Sequence, residues 1–187
     1  AELEARAGAS RLLTLQTGAA LPTSAWQAVG TAVVTLAENQ NLQRLDDLRD
    51  QRVAIVGRQA FSGYQIVWRE LLQEGIDPER DLRELIEVGL PMDRVLDAVA
   101  SGAADAGFVR ACMIESRPEW KARFRVVAPR PDAGLACATS TRVYPNWPIA
   151  TLRHTDAALA RAVTIALLEM RPEDSPITWS VPADYQQ

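Results

Sequence analysis

The chain has 187 residues, 48% of them hydrophobic and 24% charged, with a formal net charge of −4. That composition supports a core and excludes a disordered or collagen-like chain, and the acidic balance argues against a nucleic-acid partner, which requires a basic excess. No apolar run approaches the roughly 20 residues of a membrane-spanning helix, and the start carries no signal-peptide pattern.

Taken in chain order, residues 2–9 read as the end of a helix stopped at Gly8, and residues 11–15 alternate as a short strand. Residues 17–24 are small and polar, a loop. Residues 28–36 form a β-branched run that predicts one buried strand. A helical turn at 45–49 leads into a strong strand at 52–56. An amphipathic helix is expected over 64–73, stopped at Gly75, and Asp77-Pro78 starts another, with Asp77 as cap and Pro78 in the first turn. Strands at 85–88, 104–109 and 124–128 surround a helix at 93–101 capped by Asp93. This strand–helix alternation implies parallel pairing and an open α/β sheet, whose ligands sit at the carboxyl ends of its strands. Residues 139–150 read as a connection, 155–170 as a helix capped by Thr155, and the tail beyond Pro172 as a loop.

The loop before the 64–73 helix holds Ser62, Gly63 and Tyr64. Backbone N–H groups at a helix N-terminus have no intrahelical acceptor, and the helix dipole favours an anion there. The same residues also fit a plain cap and tight turn. Arg110 follows a strand, where an arginine pairs with an anionic ligand or with a surface carboxylate. Cys112, Cys137 and the single histidine, His154, are too few for a zinc site. No metal, no cofactor and no catalytic constellation is expected.

Several motifs are familiar. The 45–54 stretch LDDLRDQRVA, the turn Phe61-Ser62-Gly63-Tyr64, the segment Gly75-Ile76-Asp77-Pro78-Glu79-Arg80-Asp81 and the segment 101–107 resemble phosphonate-binding-like periplasmic proteins of the type 2 solute-binding fold. Val109-Arg110 with Cys112 and Glu115, the run Ser140-Thr141-Arg142-Val143-Tyr144-Pro145-Asn146-Trp147-Pro148, and the closing 179–186 are similar to a subset of that family, the extracytoplasmic sensor domains of membrane histidine kinases, of which tetrathionate-sensing kinases are one type. The resemblance implies two α/β lobes, each with a mixed, mostly parallel sheet, and a small anionic ligand in the cleft between them. Residues 1–38 and 134–187 would form lobe one, N-terminally incomplete, and 41–130 lobe two. The start at Ala1 then reads as a point inside lobe one, so that this lobe is expected to pack unusually, exchange strands with a second copy or expose apolar surface.

The ligand residues so implied are Ser62, Gly63, Tyr64, Asp93, Arg110 and Thr141. Where the phosphonate binders carry a Ser-His pair, this chain reads Leu90-Pro91-Met92-Asp93, which removes two polar contacts and argues against a phosphonate. A periplasmic location permits a disulfide between Cys112 and Cys137, or a thiolate that reacts with a sulfur-oxyanion ligand. Two small buried hydrophobes are the third reading. The module itself is expected to be a sensor, not an enzyme, attached to an inner-membrane protein. Its partners would be the ligand, the membrane only through the full-length protein, and a second copy in a homodimer. A transporter's binding component and an enzyme of the same fold are the alternatives.

Overall fold

The computed structural model describes residues 6–17, 28–130, 137–171, 173–175 and 177–182. The strands are β1 (Ser10–Thr17), β2 (Ala28–Val29), β3 (Thr31–Leu36), β4 (Arg52–Ile55), β5 (Glu84–Glu87), β6 (Ala106–Arg110), β7 (Phe124–Val126), β8 (Tyr144–Pro145), β9 (Pro148–Thr151) and β10 (Ile177–Ser180). The α-helices are α1 (Ile66–Gln73), α2 (Pro78–Asp81), α3 (Asp93–Ala100), α4 (Pro118–Arg123) and α5 (Ala157–Leu168). Two compact units emerge, Val29–Val143 and the pair of segments Ala1–Ala28 and Tyr144–Gln187.

The larger unit is built on a five-stranded sheet of order β5-β4-β6-β3-β7. Side chains alternate across it, as the period of a strand requires. Val33, Val53, Ile55 and Phe108 face one side, where α1 adds Val67 and Leu71. Ala32, Val34, Ala54 and Val109 face the other, where α3 adds Val95, Leu96 and Val99. All of these are at most 1% exposed, and each fully buried aliphatic side chain contributes about 1.5–3 kcal/mol. Helix α3 lies directly on the backbone of β6. A Cβ at Gly107 would stand 2.5 Å from Val95 Cγ1, so only glycine admits the helix at that distance.

The parallel pairing expected for this region holds for β4 with β5 and with β6. Strand β3 runs antiparallel to both β6 and β7. It enters the sheet without a strand–helix crossover, and such crossovers are what impose parallel pairing. The compact units divide differently from the lobes that the resemblance implies, 1–38 with 134–187 and 41–130. Residues 31–36 pair within the larger sheet, and the larger unit ends at Val143. A strand buried on both faces carries no sequence mark of which sheet it joins. The expected single strand 28–36 is interrupted at Gly30, whose carbonyl accepts from the Ala111 N–H.

In the smaller unit the described strands form a sheet of order β10-β1-β9, antiparallel throughout, with a register shift between Arg11 and Leu13. Two expectations change here. The segment 139–150 contains β9, whose Pro148 opens an edge strand where a missing N–H is tolerated, and the tail expected as a loop contains β10, its Ile177-Thr178-Trp179-Ser180 paired with Thr17–Thr14 of β1. Thr17 is the last residue of β1, and the rest of the loop expected over 17–24 lies outside the described residues. The cap of α5 is Asp156, whose Oδ1 accepts from the Leu159 N–H, while Thr155 Oγ1 instead accepts from the Leu152 N–H. Helix α5 lies against β10 and β1 yet buries no residue, and Leu159, Ile165 and Leu168 stay exposed.

Candidate anion-binding site

The site lies in the larger unit, where three chain segments meet the carboxyl ends of β4 and β6. After β4 the chain forms a π-helical turn, Phe61–Gln65, that runs into α1. The first N–H groups of such a turn lack intrahelical acceptors, and their dipoles point at whatever sits before them. Ser62 is partly buried. Its carbonyl accepts from Thr31 Oγ1 at 2.7 Å, and its hydroxyl has no hydrogen-bond partner among the described residues. Thr31, the first residue of β3, stands opposite Arg110, the last of β6. One threonine therefore ties the helix start to the strand end.

Arg110 is half-buried, and no carboxylate pairs with it among the described residues. Burial draws its pKa below the usual arginine value, because desolvation penalises the charged form. A half-buried guanidinium without a counter-ion is costly, and an anion removes the cost. Its backbone N–H donates to Met92 Sδ at 3.2 Å. Met92 also closes on the turn, its Cε 3.5 Å from the place a Cβ would take at Gly63. Ser62, Gly63, Met92, Thr31 and Arg110 thus form one linked group.

The other expected residues fall elsewhere. Tyr64 is buried, and its hydroxyl donates to Glu79 Oε1 at 2.7 Å. Burial, and then that hydrogen bond, raises its pKa. Glu79 is held by Arg58 as well, and Arg58 reaches Glu87. Tyr64 belongs to this network, because two steps along the helical turn carry it from Ser62 toward the core. Asp93 does not cap α3. Met92 already has helical backbone angles, and the Val95 N–H reaches the Met92 carbonyl, so Asp93 is the first helical residue. Its carboxylate lies 3.6 Å from Arg117. Thr141 is fully buried. Its hydroxyl donates to the Arg142 carbonyl and accepts from the Thr31 N–H, which leaves it no proton for a ligand.

Thr141 is instead one of three braces. Ser140 Oγ accepts from the Val33 N–H and donates to the Val127 carbonyl, and Thr139 Oγ1 donates to the Thr31 carbonyl. This brace escaped the sequence reading, although the run Thr139-Ser140-Thr141 is its visible trace. Glu70 of α1, 3% exposed, holds the same segment by accepting from Arg142 Nε at 2.7 Å and from Arg130 at 3.1 Å. Cys112 and Cys137 are joined as a disulfide with Cα atoms 5.1 Å apart. Surface cavities of about 380 Å³, lined by Arg44, Asp46 and Arg130, and of about 390 Å³, lined by Arg58, Tyr64 and Trp68, lie apart from the group around Arg110. Among the described residues no cluster of His, Cys, Asp or Glu could hold a metal ion, and no helix is long and apolar enough to cross a membrane. The site offers a cation, a hydroxyl and backbone donors, which suits it to hold an anion.

A family model described as ABC transporter, phosphonate, periplasmic substrate-binding protein matches residues 1–184. The tetrathionate sensor histidine kinase TtrS of Salmonella typhimurium is 31% identical over 163 residues, covering 85% of this chain and 27% of that protein. Among solved structures, XAC2383 from Xanthomonas citri bound to ATP superposes with a TM-score of 0.67 at 19% identity, over 86% of this chain and 57% of the other. PhnD1 from Prochlorococcus marinus in complex with methylphosphonate gives 0.59 at 14% identity, over 87% and 60%. The chain thus spans about a quarter of the curated relative and under two thirds of these solved ones. The neighbours share the type 2 periplasmic-binding fold, a mixed α/β architecture. The match along residues 1–184 shows that this chain belongs to the phosphonate-type family of periplasmic substrate-binding proteins.

Proposed function

We propose that this chain is the extracytoplasmic ligand-binding part of a membrane sensor histidine kinase and that it binds a small anion through Ser62, Gly63 and Arg110. The observation that carries the binding role is Arg110, half-buried beside a helix N-terminus with no carboxylate partner among the described residues. The sensing role is supported by the similarity to TtrS. Anchoring in the inner membrane and pairing of two copies belong to the same proposal. Signalling then follows from any difference in ligand affinity between two conformations of the full-length protein. Loss of the Ser-His pair and the presence of Met92 favour a sulfur oxyanion over a phosphonate. The family description favours a second reading, delivery of ligand to a permease.

Calorimetry on this chain with sulfate, thiosulfate, tetrathionate and methylphosphonate tests the binding role. At least one sulfur oxyanion should bind, and Arg110→Ala should weaken it by about tenfold or more, as expected when a charged hydrogen-bond partner worth about 1.5–3 kcal/mol is removed. Unchanged affinity would remove Arg110 from the site. Ligand-dependent autophosphorylation of the full-length protein separates sensing from transport.

A further inference from the structure

We propose that Cys112 and Cys137 form a reactive dithiol/disulfide centre, oxidised by an anion that itself carries a sulfur–sulfur bond, of the polythionate class. The proposal rests on the anion site at Arg110 and names the chemistry of its ligand. Cys112 lies two residues beyond Arg110, in the turn that follows β6, and both cysteines are partly accessible. Cys112 has φ +68°, a left-handed conformation that L-residues with a side chain seldom adopt and that gathers at functional sites. Cys137 opens the segment that braces Thr31, and Thr31 holds Ser62. The cross-link therefore joins the two ends of the anion site, the strand end that bears Arg110 and the brace behind Ser62. Glu115 stands beside the pair. Its Oε1 accepts from the Ala138 N–H, next to Cys137, and its Oε2 is buried with no hydrogen-bond partner among the described residues.

The reaction balances with no other reagent. In the reduced protein a Cys112 or Cys137 thiolate attacks a central sulfur of tetrathionate, forming a protein S–S–SO3 adduct and releasing one thiosulfate. The second thiolate attacks the cysteine sulfur of that adduct, forming the disulfide and releasing a second thiosulfate. Two thiol protons leave, one of them through the Glu115 carboxylate. The protein is oxidised by two electrons and tetrathionate is reduced to two thiosulfates. A thiolate near a cation is the more populated nucleophile, and a fixed positive charge concentrates an anionic reactant.

The test starts from the chain reduced with dithiothreitol under native conditions and freed of reductant. Equimolar tetrathionate should consume both thiols and release two thiosulfates per chain. Cys137→Ser should stop at the adduct with one thiosulfate released. The preference for tetrathionate over the neutral 2-hydroxyethyl disulfide should fall about tenfold in Arg110→Ala, the size expected when electrostatic attraction of a reactant is lost. In Glu115→Gln the dependence of the rate on pH should shift while sulfate binding persists. A disulfide that dithiothreitol cannot reach in the folded chain overturns the proposal and leaves the bond a structural staple. An unchanged preference in Arg110→Ala also overturns it. Sulfate calorimetry on the oxidised chain reports the anion site by itself, so binding of sulfate without thiol reactivity sinks only this inference, whereas failure of every sulfur oxyanion to bind sinks the binding role.

Discussion

Helices α3 and α5 are both apolar on much of their surface, and they meet opposite fates. Helix α3 alternates Asp93, Arg94 and Asp97 with Val95, Leu96 and Val99, and it buries all three of the latter. Helix α5 carries a single charge, Arg161, in Ala157–Leu168 and fully buries no residue: Ala160, Val163, Thr164 and Leu167 are only partly covered, and Leu159 is 57% and Ile165 46% exposed. The difference teaches that apolar content does not by itself place a helix. A charged side tells α3 which face to turn inward, whereas a helix apolar nearly all round leaves apolar side chains outward whichever face it seats. The larger unit, with its two-sided sheet, is the better packed of the two.

The largest effect should come from the centre of that sheet. Phe108 is completely buried between β4, β3 and α1. Phe108→Ala should cost about 3–5 kcal/mol in a urea titration. A loss under about 1 kcal/mol would break the contrast, since the larger unit would then lack a tight core. Next comes Glu70, whose carboxylate accepts charged hydrogen bonds from Arg130 and Arg142. Glu70→Gln should cost about 2 kcal/mol, within the range for bonds between charged partners. The loss should be smaller in high salt, because both arginines are partly exposed. An effect independent of salt would point to shape and not charge as what holds the 137–143 segment.

Much of the larger unit was legible because its signals are local. Asp77-Pro78 announces its own helix start, and Asp77 indeed accepts from the Glu79 N–H. The turn through Ser62 and the strand end at Arg110 were equally readable, since a strand followed by a helix start needs only neighbouring residues. Residues that act across the sequence stayed hidden. Thr31 meets Thr141 across 110 positions, and no periodicity reports such a contact. Thr141 itself was placed among ligand residues because the motif around it resembles the family, and the structure gives its hydroxyl to the Thr31 N–H and the Arg142 carbonyl. Tyr64 was grouped with Ser62 by adjacency, yet two steps along a helical turn are enough to send it to Glu79.

A smaller effect is expected from pH, and it too is concentrated in the larger unit. Asp105 is held below the usual carboxylate range by Arg52, and Asp50 by Arg83. Asp81 is held at about 2 by the Asp77 N–H and by Arg80. These groups have folded pKa values below their unfolded ones, so their stabilisation is complete above about pH 4 and is lost as pH falls from there toward 2. Tyr64 has the opposite sign. Burial and Glu79 raise its pKa, so its contribution is present below about pH 10 and is lost as pH rises beyond it. Thermal midpoints should be flat near neutrality and fall at both ends. Asp105→Asn should flatten the acid limb and Tyr64→Phe the alkaline one. An acid limb unchanged in Asp105→Asn would show that its ion pair is too well solvated to matter, as surface pairs often are, and an alkaline limb unchanged in Tyr64→Phe would remove Tyr64 as its cause.

The smallest effect is the most informative about the comparison. The double substitution Leu159→Gln with Leu168→Gln changes side chains that are about half exposed and empties no fully buried site. Exposed positions away from packing tolerate change within about 0.5 kcal/mol, and the loss of sticky surface should lower binding of a hydrophobic dye. The urea midpoint should therefore stay where it is while dye fluorescence falls. A loss above about 2 kcal/mol would mean that the two leucines are covered when the protein is in solution, since that is the cost of emptying buried leucine sites. Concentration dependence would then identify the cover. A loss that grows as the protein is concentrated assigns it to a second copy, by mass action, whereas a loss independent of concentration assigns it to the chain's own residues. Either result turns the exposed helix from a contrast with α3 into a defined contact.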